Sequence, residues 1–204
     1  MTDYSQDAFE MISNLLHNPD KEALELSIDN CHAKGLFSLV IKGTQFGSLK
    51  RVFIAKRKIK PLDVQLHNHR YGIKITPIKG IVRHHMAFES DDGGLIKHYK
   101  YKSPLNGGNG LTYYRTRSYK VEDYYMPVGM TCTLISTDIH TVSCSKGSMW
   151  IVEEQGFDRE ESDVLGVPFI TDDLYSTPRS FQINDNAGLV LSAVRKIINI
   201  EGFQ

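Results

Sequence analysis

From Leu36 to Glu154 the chain is a succession of short β-branched and aromatic runs broken by turn residues. The runs FSLVI, RVFIA, VQLHNH, GIKITPI, IVRHHMAF, IKHYKYK, LTYYRTRSYKV, MTCTLIS, HTVSC and SMWIVEE follow one another too closely for crossover helices. That pattern excludes a βαβ sheet and predicts an antiparallel sandwich or closed barrel. Asp91-Asp92-Gly93-Gly94 reads as a hairpin turn, and Ser103–Gly110 as a flexible loop. The alternating runs IKHYKYK and TYYRTRSYK form a hairpin with one wet face.

Both ends change character. Phe9, Ile12 and Leu16 share one helical face. After Asn18-Pro19, Leu24, Ile28 and Cys31 mark a second helix that stops at Gly35. Asp158–Asp163 reads as an exposed acidic loop, and Asp185 or Asn186 caps a final helix carrying Leu189, Val190, Val194 and Ile197. The reading is one domain over residues 1–204: a helical segment at 1–35, a mainly β barrel at 36–154, and an extension with a helix at 155–204. A chain of 204 residues buries one sizeable core comfortably.

Lys plus Arg equals Asp plus Glu at 24 each, so no electrostatic footprint for nucleic acid is expected. No apolar run reaches the ~20 residues of a membrane span, and the acidic N-terminus does not resemble a secretory signal. The expectation is a cytoplasmic protein with no membrane partner. Three cysteines, Cys31, Cys132 and Cys144, lack CxxC spacing and read as reduced, packed thiols.

Of eight histidines, His67, His69, His84 and His85 lie close together. His67 and His69 are two apart, so on a strand they share a face. His140 opens another strand-like run. Three imidazoles aimed into a small barrel make a facial nitrogen site for a first-row divalent metal. His84 and His85 alternate faces, so at most one points inward. His85 is carried as a candidate general acid or base. His17, His32 and His98 read as solvated surface histidines.

His67-Asn68-His69 with Gly80, followed by Pro127-Val128-Gly129 and then His140, resembles the two motifs of the cupin superfamily. The resemblance covers about residues 50–155 and implies a double-stranded β-helix barrel in which His67, His69 and His140 are the metal ligands. No Asp or Glu lies between His69 and Gly80, so the usual acidic ligand is missing. That set is similar to the three-histidine cupin dioxygenases, of which cysteine dioxygenase is the best known. It implies Fe(II), with Zn, Ni or Mn as alternatives, and a small polar or anionic substrate. The Ser-x-His-x-Tyr run of that family is reduced here to Ser148, which argues against cysteine itself.

Tyr113, Arg115, Arg117 and Tyr119 share one strand face by alternation; Arg115 is carried as a candidate catalytic, anion-clamping residue. Arg51, Arg57 and Arg70 are other anion-binding candidates. No phosphate loop, nucleophile elbow or HExxH helix is present. The readings left are a metal-dependent cupin oxygenase, a non-catalytic cupin module binding a small ligand or partner, and a metal-free isomerase. A homodimer through sheet edges is a further expectation.

Overall fold

The computed structural model describes residues 21–61, 63–102, 107–166 and 179–180. The first helix expected at the N-terminus and the C-terminal helix lie outside these residues. The second is corrected: α1 is one turn, Lys21–Glu25, and Ile28–Asp29 is already a strand, β1. Asn30 and His32 then adopt left-handed backbone (φ 52 and 63), which no helix tolerates.

The remaining strands are β2 (Leu36–Lys42), β3 (Lys50–Ala55), β4 (Leu66–His67), β5 (Tyr71–Lys79), β6 (Val82–Lys102) and β7 (Gly110–Met126). They are followed by β8 (Cys132–Leu134), β9 (Ile139–Cys144), β10 (Met149–Phe157), β11 (Ser162–Gly166) and β12 (Arg179–Ser180). They form a seven-stranded sheet, β12-β1-β2-β3-β10-β5-β8, and a five-stranded sheet, β11-β4-β9-β6-β7. The sheets thus reach past Glu154. Asp163, expected in an exposed loop, lies buried in β11.

Leu36, Ile73, Ile75, Trp150 and Val152 of the first sheet meet Val82 and Val142 of the second in the inter-sheet core. The alternate residues Leu39, Val52, Ile54, Met149 and Ile151 face outward, packed with Ala23 of α1. Sheet one is therefore buried on both faces, which explains the near-continuous apolar runs of β2 and β10.

The five-stranded sheet is organised by β6. Its first half pairs with β9, its second half with β11, and β7 follows it along its length. Asp91–Gly94 is therefore not a hairpin turn. Glu89 and Gly94 both register with Tyr119, so the intervening residues bulge out of a continuing strand. At Gly93 a side chain would collide with the Tyr119 carbonyl. The expected hairpin of IKHYKYK and TYYRTRSYK is present as the outer part of β6–β7. Gly80 turns β5 into β6 with φ 76 and leaves room for the buried Ser148.

Candidate metal centre

β4 is only two residues long, yet it is held on both sides. His67 registers with His140 of β9 and with Val164 of β11. His67 and His69 project into the space between the sheets, and Asn68 projects the opposite way. The imidazoles of His67, His69 and His140 come together there, with one ligating nitrogen of each within 4.8 Å of the others. His69 Nε2 and His140 Nε2 are 3.0 Å apart. Two ligands at about 2.1 Å from one ion and at right angles to each other would be about 3 Å apart, so this pair already has the spacing of cis ligands.

His67 Nδ1 donates to the Gln65 carbonyl at 2.7 Å, because a carbonyl can only accept. Its Nε2 is then an unprotonated lone pair, buried and without a partner. Burial, reinforced by the neighbouring imidazoles, holds the pKa values of His67, His69 and His140 well below the usual histidine value. All three are neutral at pH 7, the state that binds metal. An orphaned buried nitrogen, a cis-spaced pair and neutral donors fit a divalent first-row ion.

Two further histidines join the cluster. The His84 ring lies 5.0 Å from that of His140, and its Nε2 is buried without a partner. Of the His84–His85 pair, His84 is thus the inward member. His85 instead meets Ser143 Oγ at 2.8 Å and faces Asp123, away from the triad. His32, expected on a helix surface, sits on the turn after β1 with its ring 4.7 Å from that of His67, exposed at the pocket mouth. A left-handed turn carries no periodicity, so nothing in the pattern placed His32 there.

The triad lines a cavity of about 190 Å³ whose other walls include Phe53, Ile73, Ile75, Trp150 and Val152. Phe53 and Trp150 stack with ring planes 4° apart. At the far side Arg51 Nε donates to Glu154 Oε1 at 2.9 Å, and Tyr71 donates to the same oxygen at 3.1 Å. Arg51 Nη1 also bonds the Leu26 carbonyl and Ser38 Oγ. Its charge is therefore already paired. Arg57 instead pairs with Asp63, and the Arg70 guanidinium stacks over Phe157.

Arg115 lies elsewhere, paired with Glu89 beside His98 and Tyr119. A bulge at Tyr114 takes Tyr113 out of the register of Arg115, and Arg117 lines a different surface cleft. His98, expected to be solvated, is buried and bonded to Asp163 Oδ1 at 2.6 Å. Asp163 also takes donors from Lys100, Arg159 and Asn68. Burial pushes its carboxyl up, but the hydrogen bonds from Lys100, His98, Asn68 and Arg159 together outweigh it and hold the carboxyl well below the usual carboxylate range.

An antiparallel two-sheet fold, with His67 of β4 registered against His140 of β9 and His69 two residues further on, decides the architecture. The fold is cupin-like. No family model matches the chain, and no curated protein matches it. Solved structures similar to this cupin-like chain include hydroxypropylphosphonic acid epoxidase from S. wedmorenis, at 11% identity and TM-score 0.33 over 58% of this chain and 49% of that one. The hydroquinone 1,2-dioxygenase PnpCD, in complex with Cd2+ and 4-hydroxybenzonitrile, is 13% identical at TM-score 0.30 over 82% and 78%. The Drosophila melanogaster CENP-C cupin domain is 9% identical at TM-score 0.36 over 81% and 100%. The chain spans about half the length of the epoxidase. At such TM-scores these likenesses carry no argument about the site, and the cupin-like assignment rests on the strand pairing. No helix among the described residues is long and apolar enough to cross a membrane.

Proposed function

We propose that the chain is a metal-dependent cupin enzyme, an iron(II) dioxygenase acting on a small molecule that reaches the metal through an apolar cavity. The observation that carries this reading is the triad itself: three imidazoles held neutral by burial, with one ring nitrogen of each within 4.8 Å of the others. His67, His69 and His140 would hold the ion. Three neutral ligands leave its charge uncompensated, so a bound metal would supply a Lewis-acidic, redox-active centre with open positions for an anionic donor atom and dioxygen.

The chain's own residues set the rest. Phe53, Ile73, Ile75 and Trp150 exclude water and favour a substrate with an apolar or aromatic body. Arg51 is neutralised by Glu154, so the cavity offers no free guanidinium for a carboxylate. The substrate's charge is therefore confined to the group that meets the metal, which narrows the polar or anionic class expected from the sequence. Tyr71, 5.7 Å ring to ring from His69 and bonded to Glu154, joins the triad to that ion pair and orients the His69 ring.

The test is metal analysis of the purified protein, followed by oxygen uptake after anaerobic loading with iron(II) in the presence of catechols, thiols and aromatic acids. Substrate-dependent uptake is expected, with loss in His140→Ala. Stoichiometric metal with no uptake for any of these classes would leave a binding module.

A further inference from the structure

We propose that the cavity on the outer side of the His67–His69 segment is a second ligand site, built to take a small oxyanion, a phosphate or a carboxylate. It is independent of any metal at the triad.

This cavity, about 510 Å³, lies between β6, β7, β11 and the turn before β9. Three cationic side chains line it: Lys100, Arg115 and Arg159. They are 26%, 33% and 24% exposed, set into the wall rather than spread on the surface. They come from three different strands or loops, so the fold converges them where chain proximity does not.

The protein does not use up their donors. A lysine carries three N–H groups and an arginine five. Lys100 donates to Asp163, and Arg115 reaches Glu89, Tyr119 and, weakly at 3.4 Å, His98 Nδ1. Arg159 reaches Asp163 and the Ser136 carbonyl. Of the three carboxylates in the lining, Asp163 is fully committed. Asp163 Oδ1 serves Lys100 and His98, and its Oδ2 serves Asn68 and Arg159. Asp138 Oδ2 accepts from the Ile135 N–H in its own turn. Glu89, half exposed at the rim, is the one carboxylate on Arg115. The cavity thus sets three cations against three carboxylates, and the cations carry N–H donors beyond those the carboxylates take up, donors that an all-acceptor ligand can use.

The geometry also preorganises the wall. Asp163 takes the Nε2–H of His98, so Nδ1 accepts from the Tyr119 hydroxyl at 3.0 Å. Tyr114 lies against both Lys100 and Arg115, each cation 5.2 Å from its ring centroid. These contacts hold the cations in place before a ligand arrives, which lowers the entropy cost of binding.

The experiment uses the full chain treated with EDTA, so the outcome does not depend on the triad. The 31P line width of inorganic phosphate is followed against protein concentration at pH 7, with chloride holding ionic strength constant. Saturable broadening is expected, with affinity about tenfold lower in Arg115→Gln and in Lys100→Gln. Glu89→Gln, which removes the competing negative charge, should tighten binding. Glu153→Gln, the same charge change on the other sheet, should leave it unchanged. Displacement by millimolar acetate would assign the site to carboxylates, and resistance to acetate would assign it to phosphoryl groups. Lys100 also supports Asp163, so Arg115→Gln decides if Lys100→Gln lowers the melting temperature. Absence of saturable broadening, or equal affinity in Arg115→Gln, would overturn the proposal.

Discussion

Asn68 and Asp163 hold each other through both main chain and side chain. Asn68 Nδ2 donates to Asp163 Oδ2 at 2.8 Å, the Asp163 N–H donates to Asn68 Oδ1 at 2.6 Å, and the Asn68 N–H donates to the Asp163 carbonyl at 3.0 Å. Both residues are buried, and Asn68 separates the two histidines of the HxH pair. The segment with the least strand structure in the site is thus anchored from behind.

Replacing Asn68 with alanine removes both side-chain bonds and leaves the Asp163 N–H buried without an acceptor. Cobalt(II) or zinc affinity should fall about 10–100-fold, the usual cost of disturbing the supports of metal ligands. Competition with a chromophoric chelator measures it. An unchanged affinity would show that the two outer strands alone position His67 and His69.

His140→Ala should abolish metal binding at micromolar concentration while shifting the melting temperature little in metal-free protein. The imidazole it removes has a buried Nδ1 with no partner, so the side-chain hydrogen bond lost in metal-free protein is the single one to His69 Nε2. Isothermal titration with zinc and a thermal melt in EDTA give the two readouts.

The depressed pKa of Asp163 makes a pH prediction. The folded state holds the carboxylate more tightly ionised than the unfolded chain, whose Asp titrates near 3.9. The stabilisation is therefore complete above about pH 4 and is lost as the pH falls towards the folded pKa. Urea unfolding of the protein and of Asp163→Asn should differ most near neutrality, and the gap should narrow progressively as the pH falls below about 4. A difference independent of pH would mean that the ionised form is not the one stabilised.

The Arg51–Glu154 pair is buried, with side chains 5% and 1% exposed. Glu154→Gln leaves an unpaired guanidinium in the wall of the cavity and should cost about 3–5 kcal/mol. Replacing both residues with Met and Leu should recover much of that loss, because a buried ion pair is seldom more stable than well-packed apolar groups. Chemical denaturation of the three proteins tests the order.

The triad was legible because strand alternation is local: two residues apart on a strand means one face, whatever the fold. The inward choice between His84 and His85 was not legible, since alternation says that one faces in but not which. His98 and Asp163 read as polar surface in the sequence. They become interior only because β11 closes against the far half of β6, a long-range pairing that sets Asp163 beside Lys100 and that no local pattern encodes. Asp91-Asp92-Gly93-Gly94 carries true turn chemistry. It forms a bulge because the strands on both sides of it keep the same partner, β7. The apolar stripe of Leu24, Ile28 and Cys31 mimicked a helix, while the left-handed Asn30 and His32 left no periodic trace.

β6 runs 21 residues without leaving its sheet, and at about 3.3 Å per residue such a strand is far longer than a small barrel needs. It works as a beam that serves two places. One half sets His84 against His140 of the triad, and the other carries His98 and Lys100 to the outer cavity. Tension along this beam would load its ladders to β9, β7 and β11 in shear rather than unzip them one bond at a time. The β6–β7 arm is therefore placed to behave as a mechanically stiff element of the molecule, with the outer cavity mounted on it and the triad braced against its near end.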